Sequence, residues 1–192
     1  IYAPSPFEKE NRLVMGAADV TTRYSRRGPV LYEKILSYIR QFTEARIGNY
    51  MVFFPSYQML SEVAALAETA GFDLVLQHNH MREEEREAFL AEFREAPVRT
   101  KVGFCVMGGI FGEGIDLTED RLIGAVIVGP GLPMFCNERE LFRRYFERKG
   151  KDGFDYAYLY QGMNKVLQSG GRVIRTVKDR GAILLLDDRF FT

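Results

Sequence analysis

The chain has 192 residues, and its 26 Lys plus Arg balance its 26 Asp plus Glu, so the formal net charge is zero. Apolar residues make up 46% and charged residues 27%, the balance of a globular domain that buries its own core. This excludes a binder that grips duplex by overall positive field, though a local basic track stays open. No apolar run reaches the roughly 18 residues of a bilayer span.

Nothing near Ile1 has the basic-then-apolar character of a signal peptide, and the chain reads as one domain, residues 1–192, of something longer. In chain order, Met51, Val52, Phe53 and Phe54 form a short apolar run that stops at Pro55. Ser56 is placed to cap a helix reaching about Ala70, with Leu60, Val63, Ala64 and Ala67 on one face. Gly71 ends it, and residues 72–76 are a second strand. Residues 82–95 are charged but place Phe89, Leu90 and Phe93 at helical spacing, a surface helix with a narrow apolar stripe.

Residues 101–107 and 123–128 are continuous apolar runs, as strands buried on both faces of a parallel sheet are. Helices are predicted over about 138–148 and 156–167, and a last buried strand over 182–186. Alternating strand and helix predicts an α/β fold, a mostly parallel sheet with helices on both faces. Function is expected in the loops after Phe54, Met107 and Val128 and before the last strand. Cys105 and Cys136, 31 residues apart, are too few and too distant for a disulfide framework or a zinc site. They read as reduced thiols of a cytoplasmic protein.

Two segments carry unusual chemistry. After residue 107 come Gly108, Gly109, Ile110, Phe111, Gly112, Glu113, Gly114, Ile115 and Asp116, with four glycines in the first seven. Glycine lets a backbone approach phosphate or sugar closely, and Glu113 and Asp116 add acceptors for ribose hydroxyls or metal-bound water. A plain glycine-rich turn with solvated acids explains the same residues. The second segment contains Gln168, Gly171, Arg172 and Arg175. Two arginines three apart share one helical face, with Gln168 one turn upstream, and such planar cations suit a phosphoryl group. A basic helix end favoured by its dipole is the plainer reading.

Taken together, in this order, these residues resemble the DinG/XPD group of helicases. Gly112, Glu113, Gly114, Ile115 and Asp116 are similar to helicase motif V, and Gln168, Gly171, Arg172, Ile174 and Arg175 to motif VI. Val52 to Tyr57 look like motif IV, and Ser5, Pro6 and Phe7 resemble the segment that opens the second RecA-like domain. Leu132 and Pro133 match the family's Leu-Pro turn, and Asp187, Arg189 and Phe190 its closing Asp-x-Arg-Phe turn. The resemblance covers essentially the whole chain. Departures are Met134 where an aromatic is usual, Gly112 in place of Trp or Ser, and the flexible pair Ser169 and Gly170.

The resemblance implies the C-terminal, RecA-like motor domain of an ATP-dependent DNA helicase acting in DNA repair. Arg172, Arg175 and Gln168 would be catalytic, and Gly112, Glu113, Gly114, Asp116 and Gly171 would contact ATP with Mg2+. No Gly-x-x-x-x-Gly-Lys-Ser/Thr loop and no Asp-Glu-x-His box occur here. A separate N-terminal RecA-like domain would therefore hold most of the nucleotide. An iron–sulfur cluster, where the family has one, belongs to that other domain and not to this chain. The other implied partner is single-stranded DNA, followed 5′ to 3′ by a monomer with no membrane attachment.

Ser56 and Tyr57 are candidates for a phosphate contact, with Arg143 and its neighbours Arg139 and Arg144 adding to it. The helix that carries them also reads as an amphipathic segment packing Leu141, Phe142, Tyr145 and Phe146. Arg23, Arg26 and Arg27 are ambiguous, and His78 and His80 read as solvated, without a metal. The isolated chain is expected to be inactive. A second class of function stays open, a RecA-like module binding a nucleotide or a protein without hydrolysis, as does a nuclease-linked relative.

Overall fold

Every residue of β2 (Asn49–Phe54) is buried, as a strand covered on both faces must be. It lies inside a six-stranded, all-parallel sheet. The computed structural model describes residues 8–67, 70–112 and 117–191. The other strands are β1 (Arg12–Ala17), β3 (Asp73–Leu76), β4 (Lys101–Val106), β5 (Gly124–Val128) and β6 (Gly181–Leu186), in the spatial order β1-β6-β5-β2-β4-β3. Tyr50 of β2 sits beside Val102 on one side and Gly124 on the other.

The alternation of side chains along a strand sorts the core into two layers. Val52, Phe54, Phe104 and Val126 pack against α1 (Pro29–Glu44) and α2 (Tyr57–Leu66). Met51, Phe53, Cys105 and Ile127 face the opposite way. There they meet Phe89 of α3 (Glu83–Ala91) and Val166 of α5 (Tyr160–Gly170). Each such aromatic or aliphatic burial contributes roughly 1.5–3 kcal/mol. Full burial pushes the Cys105 thiol far above its ordinary value, so it acts as a small hydrophobe. Helices thus cover both faces, as the alternation of elements predicts.

Several boundaries differ from the sequence reading. The helix capped by Ser56 ends at Leu66 rather than Ala70. The helix expected over 156–167 opens as a π-helical turn (Asp155–Leu159) and continues as α5 to Gly170. β1 and α1 were not foreseen. β1 is a largely exposed edge strand that, among the described residues, pairs with β6 alone, at the far end of the chain. α1 does carry a signal, Pro29 at its start and then Leu31, Tyr32, Ile35, Leu36 and Ile39 at helical spacing. α4 (Asn137–Arg148) buries none of its residues and packs against the π-helical turn rather than the sheet. Among the described residues, no helix is long and apolar enough to cross a membrane.

Candidate functional site

At the carboxyl ends of the strands, the Ser56 side chain accepts the backbone N–H of Met59 at 3.3 Å and so caps α2. Tyr57 follows, half-buried, and its hydroxyl accepts the Gln77 amide at 2.8 Å. Gln77, at the end of β3, is buried, and its Oε1 accepts the N–H of Val106 at 2.8 Å. Burial raises the Tyr57 phenol, which stays neutral and hydrogen-bonding. Gly108 turns the chain at φ +67, a region costly for side chains, and the Lys165 stem from α5 lies over it. Ser56, Tyr57 and the start of the glycine loop therefore share one edge.

Glu113, Gly114 and Asp116 of the glycine loop, like Ser5, Pro6 and Phe7, lie outside the described residues. The chain on either side of the loop is informative. Gly112 is buried, its N–H donated to Gly109 O at 2.8 Å. The next described residues, from Leu117, lead to a short turn, Glu119–Arg121, just before β5. The β4–β5 connection thus runs from the carboxyl edge of the sheet to its amino edge, and among its described residues only the short 3-10 turn is helical.

At that amino edge lie Arg172 and Arg175, but not on one helical face as the sequence suggested. α5 stops at Gly170, and Gly171 is its C-cap. Gln168 is on the last turn, exposed, while Arg172 is half-buried and Arg175 exposed on an irregular segment. Two causes end the helix. Ser169, Gly170 and Gly171 are weak helix formers. Downstream, the Asp179 carboxylate takes the N–H groups of Arg175 at 2.7 Å and Thr176 at 2.6 Å, replacing a helical ladder. Asp179 also accepts the Thr176 hydroxyl at 2.8 Å and the Glu119 N–H at 3.1 Å. Burial alone pushes this carboxyl up, but the donated N–H groups hold it below its ordinary value. The same side chain anchors the Arg175 turn and the segment after the glycine loop.

A second buried carboxylate, Asp187, closes the carboxyl end of β6. It accepts the N–H and hydroxyl of Thr22 at 2.8 and 2.7 Å. It also accepts Arg189 Nε at 2.6 Å and Nη2 at 2.9 Å. Burial opposes its charge, but the Arg189 guanidinium and Thr22 hold the carboxyl well below the usual range. Gly129, at φ +78 after β5, lies against the Thr22 side chain. The Arg23 side chain pairs with Asp188 and Arg27 Nε donates to the Thr22 carbonyl, so two of the three ambiguous arginines brace this corner.

Arg143 is engaged within α4, 2.9 Å from Glu147 and 3.6 Å from Glu140. Arg139 donates to the Ala157 carbonyl and to Gln161. Of the four α4 residues expected to pack, only Phe146 does so, stacking on Tyr156 at 4.3 Å, while Leu141, Phe142 and Tyr145 are exposed. His78 and His80 are exposed, and among the described residues no three His, Cys, Asp or Glu converge as a metal site. Gln77 is the residue the sequence did not single out. Asp179 stands out there only with Arg180 and Gly181, as a segment that resembles the family's run into the closing strand, and without a role of its own.

The profile of the helicase C-terminal domain family matches residues 39–192. The ATP-dependent DNA helicase DinG of Photobacterium profundum is 29% identical over 193 residues, covering 96% of this chain and 26% of the relative. A probable ATP-dependent helicase of Methanocaldococcus jannaschii is 26% identical over 198 residues, covering 97% of this chain and 30% of the relative. The chain therefore spans under a third of the length of these curated relatives. A solved structure of XPD in its apo form superposes with a TM-score of 0.76 at 21% identity, covering 93% of this chain and 36% of that one. The C-terminal domain of the DEAD-box protein Dbp5 gives 0.53 at 16% identity, covering 94% and 79%. The fold is that of a RecA-like helicase domain.

Proposed function

Because this chain belongs to the helicase C-terminal domain family, of the DinG and XPD kind, we propose that it is one motor domain of an ATP-dependent DNA helicase. Its amino edge completes a nucleotide site whose larger half lies on an N-terminal RecA-like domain of the same polypeptide. Bound there, ATP with Mg2+ supplies the phosphoanhydride whose hydrolysis drives movement. Arg175, exposed on a backbone pinned by Asp179, and Arg172 beside it face the γ-phosphoryl and stabilise the charge that spreads over it. Gln168 orients the attacking water or the phosphate at the end of α5. Glu113, Gly114 and Asp116 meet the nucleotide, with Gly171 leaving room for its approach, while Gly112, buried against Gly108 and Gly109 at the carboxyl edge, starts the loop that carries them. The metal is assigned to the other domain.

Single-stranded DNA runs along the carboxyl edge, where the Ser56 hydroxyl, Tyr57 and the cations of α4 contact its backbone. The observation that carries this reading is Asp179, which ties the arginine turn to the segment after the glycine loop. The loop leaves the carboxyl edge and arrives at the amino edge, so a change at one edge is felt at the other. Such coupling is typically about 1–3 kcal/mol and reciprocal for binding.

The test is ATPase turnover with and without single-stranded DNA in the complete polypeptide. Glu113→Gln and Asp116→Asn should each leave DNA binding in place and remove most of the stimulation. Unchanged stimulation in both variants would reduce the loop to a turn. A wild type with no stimulation at all would favour a passive nucleotide-binding module.

A further inference from the structure

Resting on the helicase reading above, we propose that the outward face of α4 is a stacking platform for the bases of a single strand, with Phe142 and Tyr145 as its rings. α4 is an amphipathic helix whose apolar side points away from the protein. Phe142 is 59% exposed, Tyr145 52% and Leu141 63%, and Phe135 just before the helix is 72% exposed. A helix in this position would ordinarily turn those residues inward. Here the inward place is already filled: Phe146 stacks on Tyr156, and Phe135 and Phe154 pack on Tyr158, whose hydroxyl donates to Glu140 at 2.7 Å.

Charge selects the occupant. The whole chain is neutral, but from Cys136 to Lys151 six cations stand against three carboxylates. Glu140 and Glu147 are engaged by Arg143, which leaves Arg144, Arg148 and Lys149 exposed on the helix against the one remaining carboxylate, Glu138. Lys149 lies over the Tyr145 ring at 5.9 Å and Lys151 over Tyr156 at 5.7 Å. Flat rings flanked by flexible cations suit a ligand that is itself flat and polyanionic, because every base offers a π-face whatever its sequence. An apolar protein surface would match the rings and leave the cations unanswered.

Position agrees. The loop that leads to α4 leaves β5 at the carboxyl edge, and Gly131 in it touches Met107 at the end of β4. Gly162 of α5 approaches the Pro130 carbonyl so closely that a Cβ would stand 2.5 Å from it. The α4–α5 hairpin is therefore rooted beside Tyr57, Gln77 and Gly108, the edge assigned above to the strand.

The experiment titrates the complete polypeptide with a labelled oligothymidylate at several salt concentrations. Phe142→Ala and Tyr145→Ala should each weaken binding by about five- to a hundred-fold, with the slope of affinity against salt unchanged. Tyr145→Phe should bind as wild type. Arg144→Ala with Arg148→Ala should instead flatten that slope by roughly 0.7 for each phosphate no longer neutralised. Wild-type affinity in a variant carrying both Phe142→Ala and Tyr145→Ala would overturn the platform and leave the helicase reading standing. So would a ring variant that loses DNA-free ATPase or thermal stability at unchanged DNA affinity, since the face would then dock protein. A wild type that binds no single strand would overturn both.

Discussion

The carboxylate of Asp179 accepts the backbone N–H of Arg175 at 2.7 Å, from four residues back along the chain. Its other oxygen reaches the N–H of Glu119 at 3.1 Å, sixty residues away. Asp179→Asn halves this capacity, since an amide offers one acceptor oxygen and two donors. It should cost about 1–3 kcal/mol of stability, because buried N–H groups lose a charged partner. In the complete polypeptide, ATP turnover should fall at least about tenfold, as misplacement of an arginine turn lowers rate more than binding. Wild-type turnover in this variant would remove Asp179 from the positioning role.

Arg175→Ala should abolish ATP hydrolysis, a loss of about 10³ to 10⁵ in rate, with single-stranded DNA binding and melting temperature nearly unchanged. Arg172→Ala should lose comparable activity but also some stability, because Arg172 is half-buried where Arg175 is exposed. ATPase assays paired with thermal melts separate the two effects. An arginine whose removal leaves DNA-stimulated turnover intact is not a finger.

The 192-residue chain by itself should neither hydrolyse ATP measurably nor bind it tightly, since half a cleft buries little of the ligand. DNA-stimulated phosphate release from the purified chain would contradict the assignment of the nucleotide to two domains.

Asp179 and Asp187 both have folded-state values below the ordinary 3.8. Below that value the unfolded chain binds protons first, so their contribution is complete above it and drains away as pH falls through the folded values. Chemical unfolding followed from about pH 6 down to about pH 2 should show this fall setting in as pH approaches the ordinary carboxylate value. Asp187→Asn should shallow the acid slope and cost roughly 3 kcal/mol at neutral pH, because Arg189 loses its carboxylate partner in a part-buried site. An acid slope identical to wild type would show that Asp187 is protonated alike in both states.

Gly129→Ala should destabilise through the same corner. The backbone there has φ +78, and a Cβ would stand 2.4 Å from Thr22 Oγ1, the group that donates to Asp187. Strain and the displaced hydrogen bond together should cost about 2 kcal/mol or more, read as a lower melting temperature. Gly71→Ala, at φ +83 in open space, serves as the control that isolates the backbone part.

Much of the fold is legible in the sequence because buried parallel strands are written locally. The runs around Val52, Phe104 and Val126 are continuous and apolar, and a strand covered on both faces needs nothing else. β1 is not legible, since its largely exposed residues become a strand by pairing with β6. The helix break after Gly170 was half-visible in Ser169 and two glycines, yet the arginine spacing suggested that the helix ran on. The second cause that stops it is a side chain nine residues later, outside any local window.

The sequence by itself determined which chemistry is present: two arginines after a glycine, a loop of glycines and acids, and an order of segments that matches one helicase family. These follow from residue type and spacing, which survive any packing. Only the tertiary structure decided that Asp179 joins the arginine turn to the far end of the glycine connection, and that the α4 rings face out. Periodicity reports that a helix has an apolar side. It cannot report which side is already occupied, because that depends on Phe146 meeting Tyr156 across the hairpin while Phe142 and Tyr145 stay exposed.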